Sequence, residues 1–426
     1  MNILHLNTSG FGGAGKAAYR LHRNLLTCGL KSEIMVMNRN AEKNDLIEFG
    51  SRRSFFKFRS DITRFLLKMR TDPKYYFQNN NQSPIKRVSD VYQMVPFKPD
   101  IIVAHWISNF VTIENLYQLS SSAGVPVVWY LMDMAPLTGG CHYAWDCTGF
   151  MNECGRCPAL HSNKINDLSY RNWKKKQVLI QKMPITIVSA TSRLTAQAKK
   201  ATVIEGKRIE QIMLGINPEI FKPLPRHVAR AKLQLPLEPK IIFAGATSLK
   251  MECKGMSYLS EALKSLKEQF GTERNNILIV TAGNTSGIGS LFDGNFRHKH
   301  LDSLTNDRML AAAYQAADVF ACPSIEDSGP MMINESIMCG TPVVSFEMGV
   351  APDLVHTGKT GYIAELKNSE DLARGIKYVL DLGPDEACNM SHQCNKLGLQ
   401  LCHPEIQAKA FKTLFDSLLN ENRSRK

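Results

Sequence analysis

Short apolar runs, each ending in a polar or glycine-bearing loop and passing into a stretch of helical periodicity, recur along this chain. No other feature constrains its fold as much. In the first half they fall at residues 3–6, 31–37, 99–104, 125–131 and 184–190; in the second at 240–245, 277–283, 318–322 and 342–346. Runs this short, without strict polar alternation, suit strands buried on both faces. Strands alternating with helices predict parallel sheets covered by helices. A chain of 426 residues exceeds one ordinary domain. The expectation is therefore α/β, with two doubly wound Rossmann-like domains at 1–215 and 216–404. Between them lies a connector with the sequence Phe221-Lys-Pro-Leu-Pro225, and a last helix, 405–426, is expected to cross back onto the first domain.

The most informative stretch is 323–346. The strand at 318–322 gives way to a polar loop, Pro330 suits the first turn of a helix, and Gly340 supplies a left-handed stop before the next strand. A helix N-terminus beyond the carboxyl end of a parallel strand offers free N–H groups to an anion. Two carboxylates flank that position, Asp327 before the helix and Glu335 within it, with Glu326 beside the first. Glu335 lies too deep to cap the helix and needs another partner, such as a sugar hydroxyl. In the first half, Ser9-Gly-Phe-Gly-Gly-Ala-Gly15 joins a strand to a helix and lets a diphosphate approach the backbone, although its spacing is not that of the dinucleotide fingerprint. His105 and Asp133 each follow a strand end, where active-site groups gather in such folds, and Lys254-Gly255 precedes a helix.

Charge narrows the partners. The formal net charge of +13 favours an anionic one, and with no nucleic-acid-binding motif in view a nucleotide diphosphate or a membrane surface is expected rather than DNA or RNA. Residues 52–70 carry seven basic side chains and one acidic, interleaved with aromatic and aliphatic residues, a pattern suited to an anionic bilayer surface or to a core-packed helix with a solvated basic face. No apolar run has the length of a membrane span, so a cytoplasmic chain, at most peripheral on the inner face of the membrane, is expected. The basic run 171–176 reads as a solvated helix face. Cys141, Cys147, Cys154 and Cys157 fall within one short insertion, 139–160, and end in a Cys-x-x-Cys pair. That spacing predicts a structural zinc site, with an iron–sulfur cluster, a redox disulfide or four unligated thiols as the alternatives.

The two acids ahead of Cys-Gly-Thr-Pro-Val-Val at 339–344 resemble the donor-site signature of the retaining GT-B glycosyltransferases of family 4, and the resemblance extends from the glycine loop to Tyr362. It implies a GT-B fold whose two domains face a cleft, with an acceptor-side N-terminal domain and a donor-binding C-terminal one. It implies transfer of a hexose from a UDP- or GDP-sugar to a lipid-linked or polysaccharide acceptor in envelope or exopolysaccharide synthesis, without a catalytic divalent metal. By the same resemblance Asp327, with Asp133 and His105, would serve catalysis. Gly12, Gly13, Lys254, Glu326, Ser328, Gly329 and Glu335 would bind the donor. Two positions depart from the family pattern: Met132 stands where relatives carry histidine, and Ala246 where they carry arginine. A catalytically weak GT-B scaffold and a nucleotide-sugar epimerase are the other classes compatible with these residues.

Overall fold

The computed structural model describes residues 1–39, 45–49, 53–284 and 296–424. The chain forms two compact units, Met1–Gly215 with Gln407–Lys426, and Ile216–Ile406.

In the first unit the described strands are β1 (Asn2–Ser9), β2 (Lys31–Asn38), β3 (Ile47–Glu48), β4 (Ile101–Ala104), β5 (Val127–Leu131), β6 (Ile185–Ser189) and β7 (Arg208–Gln211). They make one sheet in the order β3-β2-β1-β4-β5-β6-β7, every pairing parallel. The central strands are inaccessible on both faces: Ile3, Leu4, Leu6, Ile102, Val103 and Val128 expose nothing to solvent. That is why they read as unbroken apolar runs. The helix Gly12–Thr27 covers one face through Ala17, Ala18, Leu21 and Leu25, spaced as one helical stripe. The C-terminal helix, Pro404–Ser424, lays Phe411 and Phe415 into the same unit, and Phe411 meets the Tyr130 ring edge-on at 5.1 Å. Burial of each phenyl contributes about 1.5–3 kcal/mol. Gln407 Nε2 donates to Tyr130 Oη at 3.3 Å and Asn422 donates to the Gly124 carbonyl at 2.9 Å.

The second unit has β8 (Lys240–Ser248), β9 (Ile277–Asn284), β10 (Arg297–His300), β11 (Val319–Cys322), β12 (Val343–Phe346) and β13 (Gly361–Ala364). Their order, β10-β9-β8-β11-β12-β13, is the doubly wound order of a dinucleotide-binding sheet. Each sheet reverses its winding direction once, between β1 and β4 in the first unit and between β8 and β11 in the second. Loops leaving the carboxyl ends of those strand pairs diverge to opposite faces and leave a crevice, where ligands bind in open α/β sheets.

Three edge strands were not expected from the sequence. β7 is Arg-Ile-Glu-Gln and β10 is Arg-His-Lys-His, with side chains partly or fully exposed, and β3 is only two residues long. The run 171–176 is also corrected. It lies in the helix Leu168–Gln181, where Asn172, Trp173 and Lys176 are buried, so only part of that turn is solvated.

Candidate functional site

At the β8/β11 crevice two loops interlock. The backbone N–H groups of Ile325 and Glu326 both donate to the Cys253 carbonyl, at 2.9 and 3.3 Å. Gly255 adopts φ +64°, and a Cβ there would stand 1.9 Å from the Pro323 carbonyl oxygen, so no other residue fits. This lock brings Lys254 Nζ to 2.5 Å from Asp327 Oδ2, in a pair whose side chains are largely withdrawn from water. Asp327 Oδ1 accepts the Gly329 N–H at 3.1 Å, which closes the turn into the helix Met331–Met338. Glu326 is buried, while Ser328 and Gly329 are half-buried on the way to the helix. Pro330 is the cap residue and makes no side-chain cap bond, and its carbonyl accepts the Ile333 N–H at 2.9 Å. Glu335 is almost wholly buried, and Tyr314 donates its hydroxyl hydrogen to Glu335 Oε2 at 3.1 Å. Burial and this carboxylate together push the Tyr314 hydroxyl well above the ordinary phenol range. The helix ends as the sequence implies: Gly340 has φ +74°, its N–H donates to Ile337, and Thr341 donates to Ser336.

At the β1/β4 crevice the glycine loop divides its tasks. Gly12 and Gly13 face open space, for a Cβ at either meets nothing within 4 Å, and Gly12 has φ +73°. The close approach belongs to Gly15, where a Cβ would stand 2.6 Å from the Ser9 carbonyl. His105, just past β4, is buried with its Nε2 2.9 Å from His5 Nδ1, and burial pushes it down to about 3. Asp133, just past β5, accepts the Ala135 N–H at 2.8 Å and stands 2.5 Å from His142 Nδ1. The Trp106 indole N–H points at the same nitrogen from 3.1 Å, and Ser108 Oγ lies 3.4 Å from His142 Nε2. His142 thus comes from the insertion to the carboxylate that follows Met132. Lys176, on the helix Leu168–Gln181, donates to the carbonyls of Ala135 (2.5 Å) and Thr138 and is pushed down to about 8 by burial.

The cysteines of the insertion line one small cavity together. Among the described residues, however, no group of three or more His, Cys, Asp or Glu side chains is arranged to hold a metal ion. The expected zinc site therefore finds no support among the described residues. The Cys141 thiol is hydrogen-bonded to Cys157, a contact that holds Cys141 well above the ordinary thiol range and lowers Cys157 to about 7. Cys154 Sγ accepts the Gly139 N–H at 3.2 Å, and burial raises Cys154 to about 12. Burial likewise raises Cys147. Cys141 and Cys157 thus meet each other, and Cys154 meets a backbone amide. Residues 50–52 lie outside the described residues. From Arg53 the helix Arg53–Lys68 is formed, and beyond residue 60 Ile62, Phe65, Leu66 and Met69 are exposed while Leu67 packs inward.

The fold is shared with known structures over nearly the whole chain. Sucrose-phosphate synthase from Thermosynechococcus elongatus superposes with a TM-score of 0.69 at 15% identity, covering 99% of this chain and 100% of that one. HepE from Anabaena in complex with UDP and glucose superposes with a TM-score of 0.64 at 17% identity, covering 98% of this chain and 100% of that one. The architecture is GT-B. Residues 226–398, within the second unit, match the family described as Glycosyl transferases group 1. A D-inositol 3-phosphate glycosyltransferase from Corynebacterium aurimucosum is 31% identical over 287 residues, 64% of each chain. The first curated relatives are matched over 38% and 64% of their own length.

Proposed function

We propose that this chain is a retaining glycosyltransferase that moves a hexose from a UDP- or GDP-sugar to a glycan or lipid-linked acceptor. The observation that carries this reading is the Lys254–Asp327 pair, locked at the switch point of a domain that matches the group 1 glycosyl transferases and followed by the N-terminus of the helix Met331–Met338. With donor present, the Lys254 ammonium and the positive end of the helix Met331–Met338 stabilise the charge that develops on the leaving diphosphate, a role that needs no divalent metal. Asp327, released from Lys254, orients the transferred sugar. Ser328, Gly329 and Glu326 shape the loop under it, and Glu335 contacts the ribose hydroxyls from within the helix. Gly12 and Gly13 keep the first-unit loop open to phosphate and acceptor. Asp133 and the neutral His105 belong to the acceptor side, and front-face attack by the acceptor hydroxyl preserves the anomeric configuration.

We assign the membrane contact, where the acceptor is lipid-linked, to the end of the helix Arg53–Lys68. Ile62, Phe65, Leu66 and Met69 are spaced as one helical stripe and exposed, with Arg64, Lys68 and Arg70 exposed among them. The transfer reading is tested by incubating the protein with UDP- and GDP-hexoses and saccharide acceptors, then reading the anomeric configuration of the product by NMR. A product that keeps the donor's configuration supports it. An inverted product overturns the retaining mechanism, and donor conversion to an isomeric nucleotide sugar without transfer overturns the transferase reading.

A further inference from the structure

A cavity lies wholly within the first unit, at the carboxyl ends of β4 and β5. His105, Trp106, Trp129, Asp133, Asn80 and Lys176 are among its lining residues. Two of them carry buried polar atoms without a hydrogen-bond partner among the described residues, Nδ1 of His105 and Oδ1 of Asn80. Orphaned buried polar atoms are rare in folded proteins, and two on the lining of one cavity point to a ligand that would complete them. His105 is almost wholly buried, and its other ring nitrogen is already engaged with His5 at 2.9 Å, so Nδ1 has no route to bulk water.

The character of the walls defines that ligand. The charges cancel: among the described lining residues Asp133 is the only acid and Lys176 the only ammonium or guanidinium, and Lys176 is committed to the carbonyls of Ala135 and Thr138. A chain of amides fixes one side, with Asn81 Nδ2 donating to Asn172 Oδ1 at 2.7 Å and Asn172 Nδ2 to the Gly139 carbonyl at 3.0 Å. The indole N–H of Trp129 is taken by the His105 carbonyl, so the ring surface is what that residue contributes, while the Trp106 indole N–H, 3.1 Å from the His142 nitrogen that serves Asp133, adds a donor. A carboxamide oxygen needs a donor, and His105 Nδ1 takes a donor or an acceptor according to tautomer. Hydroxyl groups supply both, whereas a phosphate dianion supplies no donor for Asn80 and would face the Asp133 carboxylate.

We infer that this cavity is a subsite for one neutral sugar ring of the acceptor, unphosphorylated at the bound ring. The inference rests on the glycosyltransferase reading above and gives its acceptor a chemical class. It is tested with the full chain by saturation-transfer NMR, using methyl α-glucopyranoside, methyl α-mannopyranoside and methyl α-galactopyranoside as probes beside the hexose 6-phosphates. UDP affinity is measured on the same samples. At least one neutral hexoside is expected to bind at millimolar concentration and the phosphates not to compete with it. Asn80→Leu, which fills the space, and Asn80→Ala, which only removes atoms, should each weaken that binding about tenfold or more while leaving UDP affinity unchanged. Hexoside binding equal in wild type and both variants overturns the subsite, as does absence of hexoside binding with UDP binding intact, or tighter binding of the phosphates. Hexoside binding sensitive to Asn80 in a protein that binds no nucleotide would keep the subsite and overturn the donor reading.

Discussion

Lys254 and Asp327 face each other across 2.5 Å, so each neutralises the other, and the proposed leaving diphosphate would have to draw Lys254 away. Replacing Lys254 with methionine keeps the length of the side chain and removes the charge that the leaving group needs. Turnover measured as kcat should fall about 10²–10³-fold, the usual cost of removing one donor from a preorganised anion site. A loss of less than a few-fold would move the diphosphate elsewhere. At this scale the sequence was most informative where chemistry depends on chain-local spacing: Lys254-Gly255, Asp327 and the acids around it. It was silent where partners are distant in the chain. Nothing local joins Tyr314 to Glu335, so no sequence signal marked that one carboxylate oxygen, Oε2, has a protein hydroxyl as its partner. Lys176 hid among exposed lysines, although Ser169, Asn172, Trp173, Lys176 and Ile180 share one helical stripe, a signal that could have revealed it.

Among the elements, the glycine positions decide where backbone can approach backbone. A methyl group at residue 255 must move the Pro323 carbonyl or distort a left-handed turn, so Gly255→Ala should destabilise the protein by about 1–3 kcal/mol and also weaken donor binding, because Lys254 moves with it. Urea unfolding and nucleotide titration of the variant check both halves. A variant of wild-type stability would show that the lock is not tight. Gly13→Ala meets no neighbour and should leave stability within about 0.5 kcal/mol. The exposed stripe of the helix Arg53–Lys68 makes a separate claim. Phe65 and Met69 are 64% and 71% exposed, so changing Phe65, Leu66 and Met69 together to serine should leave the melting temperature unchanged. The same variant should lose co-sedimentation with anionic vesicles. Equal vesicle binding by variant and wild type would contradict the assignment. Central strands were legible because burial on both faces forces apolar runs. The edge strands β3, β7 and β10 were not, because an exposed edge leaves side-chain choice free.

Across the molecule, both sheets turn their winding at a strand pair whose loops carry the candidate site residues, and the crevice there follows from βα alternation once the strand order is known. The cysteine insertion shows the limit of such inference. Sequence spacing brought four thiols to one cavity, but tertiary packing decided that the Gly139 N–H meets Cys154 Sγ and that Asp167 takes the Cys157 backbone N–H. A further global property comes from three buried imidazoles. His105 and His22 are pushed down to about 3 and about 4, and His5 lies well below its ordinary value, in each case chiefly through loss of water. Unfolded imidazoles take up protons near pH 6.5, so between there and about pH 4 the unfolded chain binds more protons than the native one. Stability is then fully present above about pH 6.5 and lost as the pH falls, by about 2 kcal/mol per histidine at pH ~5. Urea midpoints at about pH 7.5 and about pH 5 measure this, and equal midpoints would contradict it.

The central claim is that the second unit binds a nucleotide sugar at its switch point, and calorimetric titration of UDP- and GDP-hexoses tests it most directly. The comparison is between wild type and Glu335→Gln, which keeps an acceptor for the Tyr314 hydroxyl. One nucleotide series should bind the wild type and bind the variant about tenfold more weakly or worse. Absence of binding by every donor, or identical affinity in the two proteins, would contradict the account of this site.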